Sequence, residues 1–144
     1  MIIYADTSAL AKLILLEEGT AEMRQLSGNS ERTTSVAIAY VELHSALAAA
    51  VRAGRVPPDS RESTALVLEQ IWSEVYEVAV DDPLLRQAAR IAGEMRLRAY
   101  DAIHLAALIE GGDTDEITFA CWDVDLRAAA QELGYRLFPI EGSA

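Results

Sequence analysis

The chain opens on an unbroken apolar run, Met1-Ile2-Ile3-Tyr4-Ala5, that stops at Asp6. Because the run does not alternate, it predicts a strand buried on both faces. Helical spacing of apolar positions follows from Ser8 to Leu16. Glu17-Glu18-Gly19 breaks it, and a second short helix is predicted from Thr20 to Leu26. Gly28-Asn29-Ser30 reads as a loop before a short strand from Arg32 to Ser35. Ser35 suits the N-cap of a long helix reaching Arg52, with Gly54 as its stop. Pro57-Pro58-Asp59-Ser60 makes a turn into a helix from Arg61 to Ser73, and Val75 to Val80 is a third strand candidate. Asp81-Asp82-Pro83 starts a helix that runs to about Leu97, with acids at the positive end of its dipole. A helix from Tyr100 to Ile109 ends at Gly111-Gly112, and Ile117 to Ala120 is a fourth strand. Val124 to Leu133 is helical up to Gly134, and Tyr135 to Ile140 is a last strand whose Pro139 suits a sheet edge.

Strands alternating with helices imply an α/β fold: three α/β/α layers around a central, mostly parallel sheet of four or five strands. Ligands of such sheets bind beyond the carboxyl ends of the strands, so the residues just after each strand are where chemistry is expected. At 144 residues and 51% hydrophobic positions, the chain fits a single domain, 1–144. Its 12 basic against 23 acidic residues leave a net charge of -11, which argues against general non-specific nucleic-acid binding. Cys121 is the only cysteine, which excludes an internal disulfide framework and fits a reducing compartment. No run reaches the ~20 apolar residues of a membrane span, and no basic leader precedes an apolar stretch, so a cytoplasmic protein without membrane partners is expected.

Four acidic residues stand out. Asp6 follows the first strand and Asp123 the fourth, so both belong on one rim of the sheet; Asp101 opens a helix. Glu42 shares a helix face with the apolar Ile38, Val41, Ala46 and Ala49, where an unpaired charge is costly. Carboxylates gathered ~5 Å apart repel by roughly 3 kcal/mol per pair at an effective dielectric of 20. A cluster of them needs protons, arginines or divalent cations, and oxygen-only ligands select Mg²⁺ or Mn²⁺. The common use of such a site is phosphodiester hydrolysis. Each aspartate also has a plainer reading, as the N-cap of the helix that follows it; Glu42 has none.

Asp6-Thr7-Ser8-Ala9-Leu10 after the first strand resembles the opening motif of PIN-domain ribonucleases. Val41-Glu42-Leu43-His44-Ser45-Ala46-Leu47 resembles their second motif, and Tyr100-Asp101-Ala102-Ile103-His104-Leu105-Ala106 their third. Phe119-Ala120-Cys121-Trp122-Asp123-Val124-Asp125-Leu126 resembles the fourth. The order and spacing are similar over essentially the whole chain, and nearest to the compact VapC-type toxins of toxin–antitoxin pairs. The resemblance implies a Mg²⁺- or Mn²⁺-dependent endoribonuclease whose metal ligands are Asp6, Glu42, Asp101 and Asp123. It implies attack on phosphorus by a metal-activated water, leaving a 5′-phosphate and a 3′-hydroxyl. It further implies a homodimer, and a cognate antitoxin that inserts a basic side chain among the carboxylates. Ser8 matches the family's hydroxyl beside the first aspartate. Cys121 stands where the family commonly has Thr or Ser, and Asp125 competes with Asp123 for the last acidic place. Leu126, three residues on, favours Asp123.

An acidic chain must hold RNA through local cations: Arg52 and Arg55 near one helix end, and Arg96 and Arg98 before Asp101, are the candidates. Their other reading is solvated surface. His104, among Ile103, Leu105 and Leu108, reads as packing, and His44 as surface. Cys121 reads as a buried small residue, and Trp72 and Trp122 as packing rather than base-stacking. A phosphoacceptor receiver domain would need paired acids after the first strand and a lysine after the last. A haloacid-dehalogenase-type phosphatase would need Asp-x-Asp where Asp6-Thr7-Ser8 stands. The alternative left open is a catalytically silent acidic PIN-like module that only binds a basic protein.

Overall fold

The computed structural model describes residues 1–141. In chain order, β1 (Ile2–Ala5) is followed by α1 (Thr7–Ile14), α2 (Thr20–Gly28), β2 (Arg32–Val36) and α3 (Ile38–Arg52). A 3-10 turn at Pro58–Ser60 leads into α4 (Arg61–Ser73), β3 (Tyr76–Val78), α5 (Asp82–Met95) and α6 (Ala99–Gly111). Then come β4 (Ile117–Ala120), α7 (Val124–Glu132) and β5 (Arg136–Phe138). The five strands form one sheet in the order β3-β2-β1-β4-β5, and every adjacent pair is parallel.

The side-chain alternation of β1 explains the three layers. Tyr4 packs with Val36 and Phe119 against Leu84, Leu105 and Leu126, which come from α5, α6 and α7. Ile3 and Ala5 point the other way, against Leu10, Met23, Leu43 and Leu68 of α1 to α4. Ile3, Tyr4 and Ala5 are fully buried, as the unbroken apolar run predicts for a central parallel strand. The chain crosses from one side of β1 to the other between β3 and β4, so β1 and β4 flank the point where strand order reverses. The crevice at their carboxyl ends is where such sheets hold ligands. Register brings Ala5 opposite Ala120. Asp6 and Cys121 therefore leave the sheet side by side, with the Asp6 N–H donating to the Ala120 carbonyl at 3.2 Å.

Several boundaries differ from the sequence reading. Ser35 is not a helix cap: it lies inside β2, which continues to Val36 because Val36 pairs with Val78. Its buried hydroxyl donates instead to the Ala5 carbonyl at 2.6 Å, tying β2 to the end of β1. α3 starts after Ala37 with no side-chain cap. The helix expected to reach Leu97 ends at Met95, because Arg96 takes the left-handed conformation at φ 56 and reverses the chain without a glycine. The candidate strand Val75 to Val80 pairs over only three residues, and the last strand ends at Phe138, leaving Pro139 just beyond an edge strand.

Lys12, the sole lysine, is buried. Its ammonium donates to Glu17 at 3.2 Å and to the Glu18 carbonyl at 2.7 Å, and lies 4.7 Å above the Trp122 ring. Gly19 sits against this clamp at φ 89, where a Cβ would come within 3.0 Å of both Lys12 and Trp122. Gly19→Ala is therefore expected to cost about 1–3 kcal/mol, from left-handed strain plus displacement of the clamp. Urea unfolding, compared with the wild-type chain, measures it.

Candidate active site

Asp6 is almost completely buried at the end of β1. Its Oδ1 accepts the Ala9 N–H at 3.0 Å, capping α1, and the Ser8 hydroxyl at 2.6 Å. Its Oδ2 accepts the Cys121 thiol at 3.1 Å. Ser8 in turn accepts the Trp122 N–H at 2.9 Å, so one hydroxyl joins the ends of β1 and β4. Asp123 caps α7 through Oδ1, which accepts the Leu126 N–H at 3.0 Å, while its Oδ2 lies 3.7 Å from Nη2 of Arg98. Cys121 is buried between the two aspartates, its sulfur also accepting the Asp123 N–H at 3.3 Å.

Asp101 lies inside the first turn of α6, whose N-cap position is Arg98. It does not cap the helix; its Oδ2 accepts Nε–H of Arg98 at 3.3 Å. Glu42 stands in the second turn of α3, half-buried. Its Oε1 accepts both the Thr7 hydroxyl at 2.9 Å and Nε2 of His104 at 2.8 Å. A connected row results: Glu42 to Thr7, the neighbour of Asp6; Asp6 through Cys121 to Asp123; Asp123 through Arg98 to Asp101. The four acidic residues singled out in the sequence thus line one rim, each tied down by hydrogen bonds or an ion pair. Arg127 holds the segment after β4, donating to the carbonyls of Cys121 and Pro139 at 2.8 Å each.

Burial is the first influence on each shifted group of the rim. Burial pushes the Asp6 carboxyl above its usual range, against the pull of His104 and the Ser8 hydroxyl. Burial, then the charge of Asp123, raises Asp101, with Arg98 opposing. Burial also acts to raise Glu42, but the hydrogen bond and charge of His104, helped by Thr7, outweigh it and bring Glu42 below its usual range. Burial raises the Cys121 thiol, and the adjacent Asp6 adds to it, so the sulfur stays protonated as a donor.

Of the four arginines proposed for RNA, Arg98 alone touches the acidic residues among the described residues. Arg52 ends α3, ten residues or about 15 Å of helix beyond Glu42. Arg55 faces Glu17 at 3.8 Å, and Arg96 is exposed at the end of α5. Asp125 is exposed on the first turn of α7, not among the buried side chains around Asp6. The residues that sequence reasoning passed over are Thr7 and His104. Thr7 adjoins Asp6, and His104 follows Asp101 by three, so proximity to a proposed ligand was the available signal. Trp122 packs on Phe138 and Trp72 on Tyr40, in line with the packing reading.

The donor atoms on this rim are carboxylate oxygens and the Ser8 and Thr7 hydroxyls, with one protonated thiol and one engaged histidine, a set suited to a hard divalent cation. Among the described residues, no three His, Cys, Asp or Glu side chains stand close enough as placed to hold a metal ion. Arg98 occupies the space between Asp101 and Asp123 instead. The donor chemistry fits: Glu42 Oε2 and Asp101 Oδ1 carry no hydrogen bond among the described residues, and the ionised forms of Asp6 and Asp101 lack a sufficient positive partner.

The model of the PIN domain family matches residues 3–120 of this chain. Ribonuclease VapC49 of Mycobacterium tuberculosis is 29% identical over 140 residues, covering 97% of this chain and 96% of that protein. Ribonuclease VapC35 from the same organism is 33% identical over 135 residues, covering 92% of each. Among solved structures, Mycobacterium tuberculosis VapC20, a sarcin-ricin loop cleaving toxin, superposes with a TM-score of 0.66 at 18% identity. That match covers 88% of this chain and 94% of VapC20. The all-parallel sheet, the rim of carboxylates and these relatives agree: the chain belongs to the PIN-domain family, among the VapC ribonucleases.

Proposed function

We propose that this ribonuclease is the toxin of a toxin–antitoxin pair, cleaving RNA with Mg²⁺ or Mn²⁺ held by Asp6, Glu42, Asp101 and Asp123. The observation that carries the reading is the linked row of carboxylates at the switch point of the sheet, where burial makes Asp6 and Asp101 harder to ionise than the protein's own partners compensate. A divalent cation there would offset the cost of ionising buried carboxylates, lower the pKa of a water and neutralise phosphate charge.

The chain's own residues divide the remaining work. Oδ1 of Asp6 and of Asp123 is held by a helix N-terminus, which fixes each carboxylate without a second protein charge. Ser8 and Cys121 hold Asp6 from two sides. Arg98 is exposed at the mouth, where its guanidinium can exchange Asp101 and Asp123 for a phosphate oxygen pair of RNA. Asp125 supports the start of α7 by its charge near the helix N-terminus.

The partner assignments rest on the resemblance and on surface chemistry. A cognate antitoxin presenting a basic side chain complements a site on a chain of net charge -11. The homodimer rests on the resemblance, with Val41 and Tyr100, 68% and 63% exposed, as its apolar candidates; the groove of about 660 Å³ that they line also holds Thr7 and Glu42 and so opens on the carboxylate rim. We place the protein in the cytoplasm as one domain; among the described residues, no helix is long and apolar enough to cross a membrane.

The deciding experiment is cleavage of labelled single-stranded RNA by purified protein with Mn²⁺ or Mg²⁺ against EDTA, with Asp6→Asn in parallel. Wild type is expected to cut only with metal, and Asp6→Asn or Asp101→Asn to lose about 100-fold or more. A folded chain that neither cuts nor binds Mn²⁺ would leave the binding-only module instead.

Stability should move the other way. The fold holds Asp6 above its usual pKa, so its ionised form costs stability at neutral pH, and that cost vanishes as pH falls through the raised value. Asparagine keeps the cap without the charge. Metal-free Asp6→Asn is therefore expected to melt about 3–5 °C higher than wild type near pH 8, with the gap closing towards about pH 4. Differential scanning fluorimetry across that range checks it. Val41→Glu should convert a dimer to a monomer, read by light scattering after size-exclusion chromatography.

A further inference from the structure

We propose that His104 is a positioning residue for Glu42: with Thr7 it ties down Oε1, so that Oε2 is the oxygen presented to the cation. The proposal rests on the metal-site reading above. His104 lies three residues beyond Asp101 on α6 but faces inward, with its side chain 3% exposed. Both ring nitrogens are engaged, on opposite sides. Nδ1 is 2.9 Å from the Tyr4 hydroxyl, and Nε2 is 2.8 Å from Glu42 Oε1 and 3.3 Å from the Thr7 hydroxyl. A carboxylate only accepts, so Nε2–H donates to Glu42, and Nδ1 shares a proton with the Tyr4 hydroxyl. Tyr4 is fully buried on the central strand, its ring edge-on to the imidazole at 88° and packed on Phe119. Turning the imidazole would break both of its bonds at once.

Glu42 needs such a tether more than its partners do. Asp6 and Asp123 sit at helix N-termini, where backbone N–H groups hold one oxygen of each. Glu42 stands within a helix whose backbone donors are already used, so only side chains can fix it. Thr7 and His104 both donate to Oε1, and Oε2 receives no hydrogen bond among the described residues. Tyr4, which packs on the imidazole, belongs to one buried apolar cluster with Leu105, Leu108 and Phe119, so an apolar residue at position 104 would satisfy packing equally well. What packing does not explain is a side chain with a polar partner on each of its two ring nitrogens.

The test is Mn²⁺ binding by isothermal titration calorimetry, without RNA, for His104→Asn and His104→Gln. The asparagine amide sits near the position of Nδ1 and keeps Tyr4; the glutamine amide reaches the position of Nε2 and keeps Glu42. His104→Asn is expected to weaken Mn²⁺ binding about tenfold or more, and His104→Gln no more than about threefold, although both disturb the same core. Equal affinities for the two variants, whether strong or weak, would overturn the proposal, since burial alone would then account for the histidine. Thr7→Val, a smaller change on the same oxygen, is expected to weaken binding several-fold; if neither histidine variant folds, unchanged affinity in Thr7→Val overturns the tether. Absence of Mn²⁺ binding by wild type would remove the metal-site reading itself, a result distinct from wild-type binding with unaffected variants.

Discussion

Taking carboxylates out of water at the end of a parallel sheet is costly, and the features around the rim answer that cost. Asp6 and Asp123 point at helix N-termini, where the partial positive charge of free N–H groups favours an anion. Glu42 meets two side-chain donors, and Arg98 spans the gap between Asp101 and Asp123. These devices hold the carboxylates in place without neutralising all of them. Asp6 and Asp101 remain harder to ionise than free side chains, a residual cost aimed at one location. Perturbed carboxyls grouped at the switch point of an α/β sheet are what a functional site looks like in electrostatic terms.

Capping and ligation are often weighed as rival explanations for an aspartate after a strand. Here they use different atoms. One oxygen of Asp6 and one of Asp123 satisfies a helix terminus, and the other turns towards Cys121 or Arg98. The cap fixes the carboxylate plane, so the second oxygen is positioned by backbone geometry rather than by a flexible side chain. Cys121 enters this arrangement as a weak donor to Asp6. Its protonated sulfur adds little opposing charge stabilisation to the most buried carboxylate of the rim.

Much of the fold was legible because periodicity and breakers agreed. The non-alternating Ile2 to Ala5 run reads as a two-sided buried strand, and Gly54 and Gly134, at φ 75 and 93, end helices where expected. Ser35 misled because a serine before a helical pattern is an equally good cap or strand residue, and only the pairing of Val36 with Val78 decides between them. Arg96 was unreadable as a helix stop because a left-handed arginine leaves no compositional trace. At the site, the four acids were found from strand ends and motif order. His104 was assigned to packing because its neighbours in sequence are apolar. Its polar partners, Tyr4 and Glu42, lie 100 and 62 residues away in the chain, and no local pattern carries that information.

The burial of Lys12 reaches beyond the clamp it forms. Apart from the chain's own terminus and the His44 imidazole, every basic group that this protein shows to solvent is a guanidinium, since the one side-chain amine is folded against Trp122 and the Glu18 carbonyl. Acylation of lysines, whether by enzymes or by amine-directed reagents, has no freely accessible side chain to modify. The outer surface thus keeps a fixed set of flat, forked cations whose charge is insensitive to physiological pH and suited to paired oxygens.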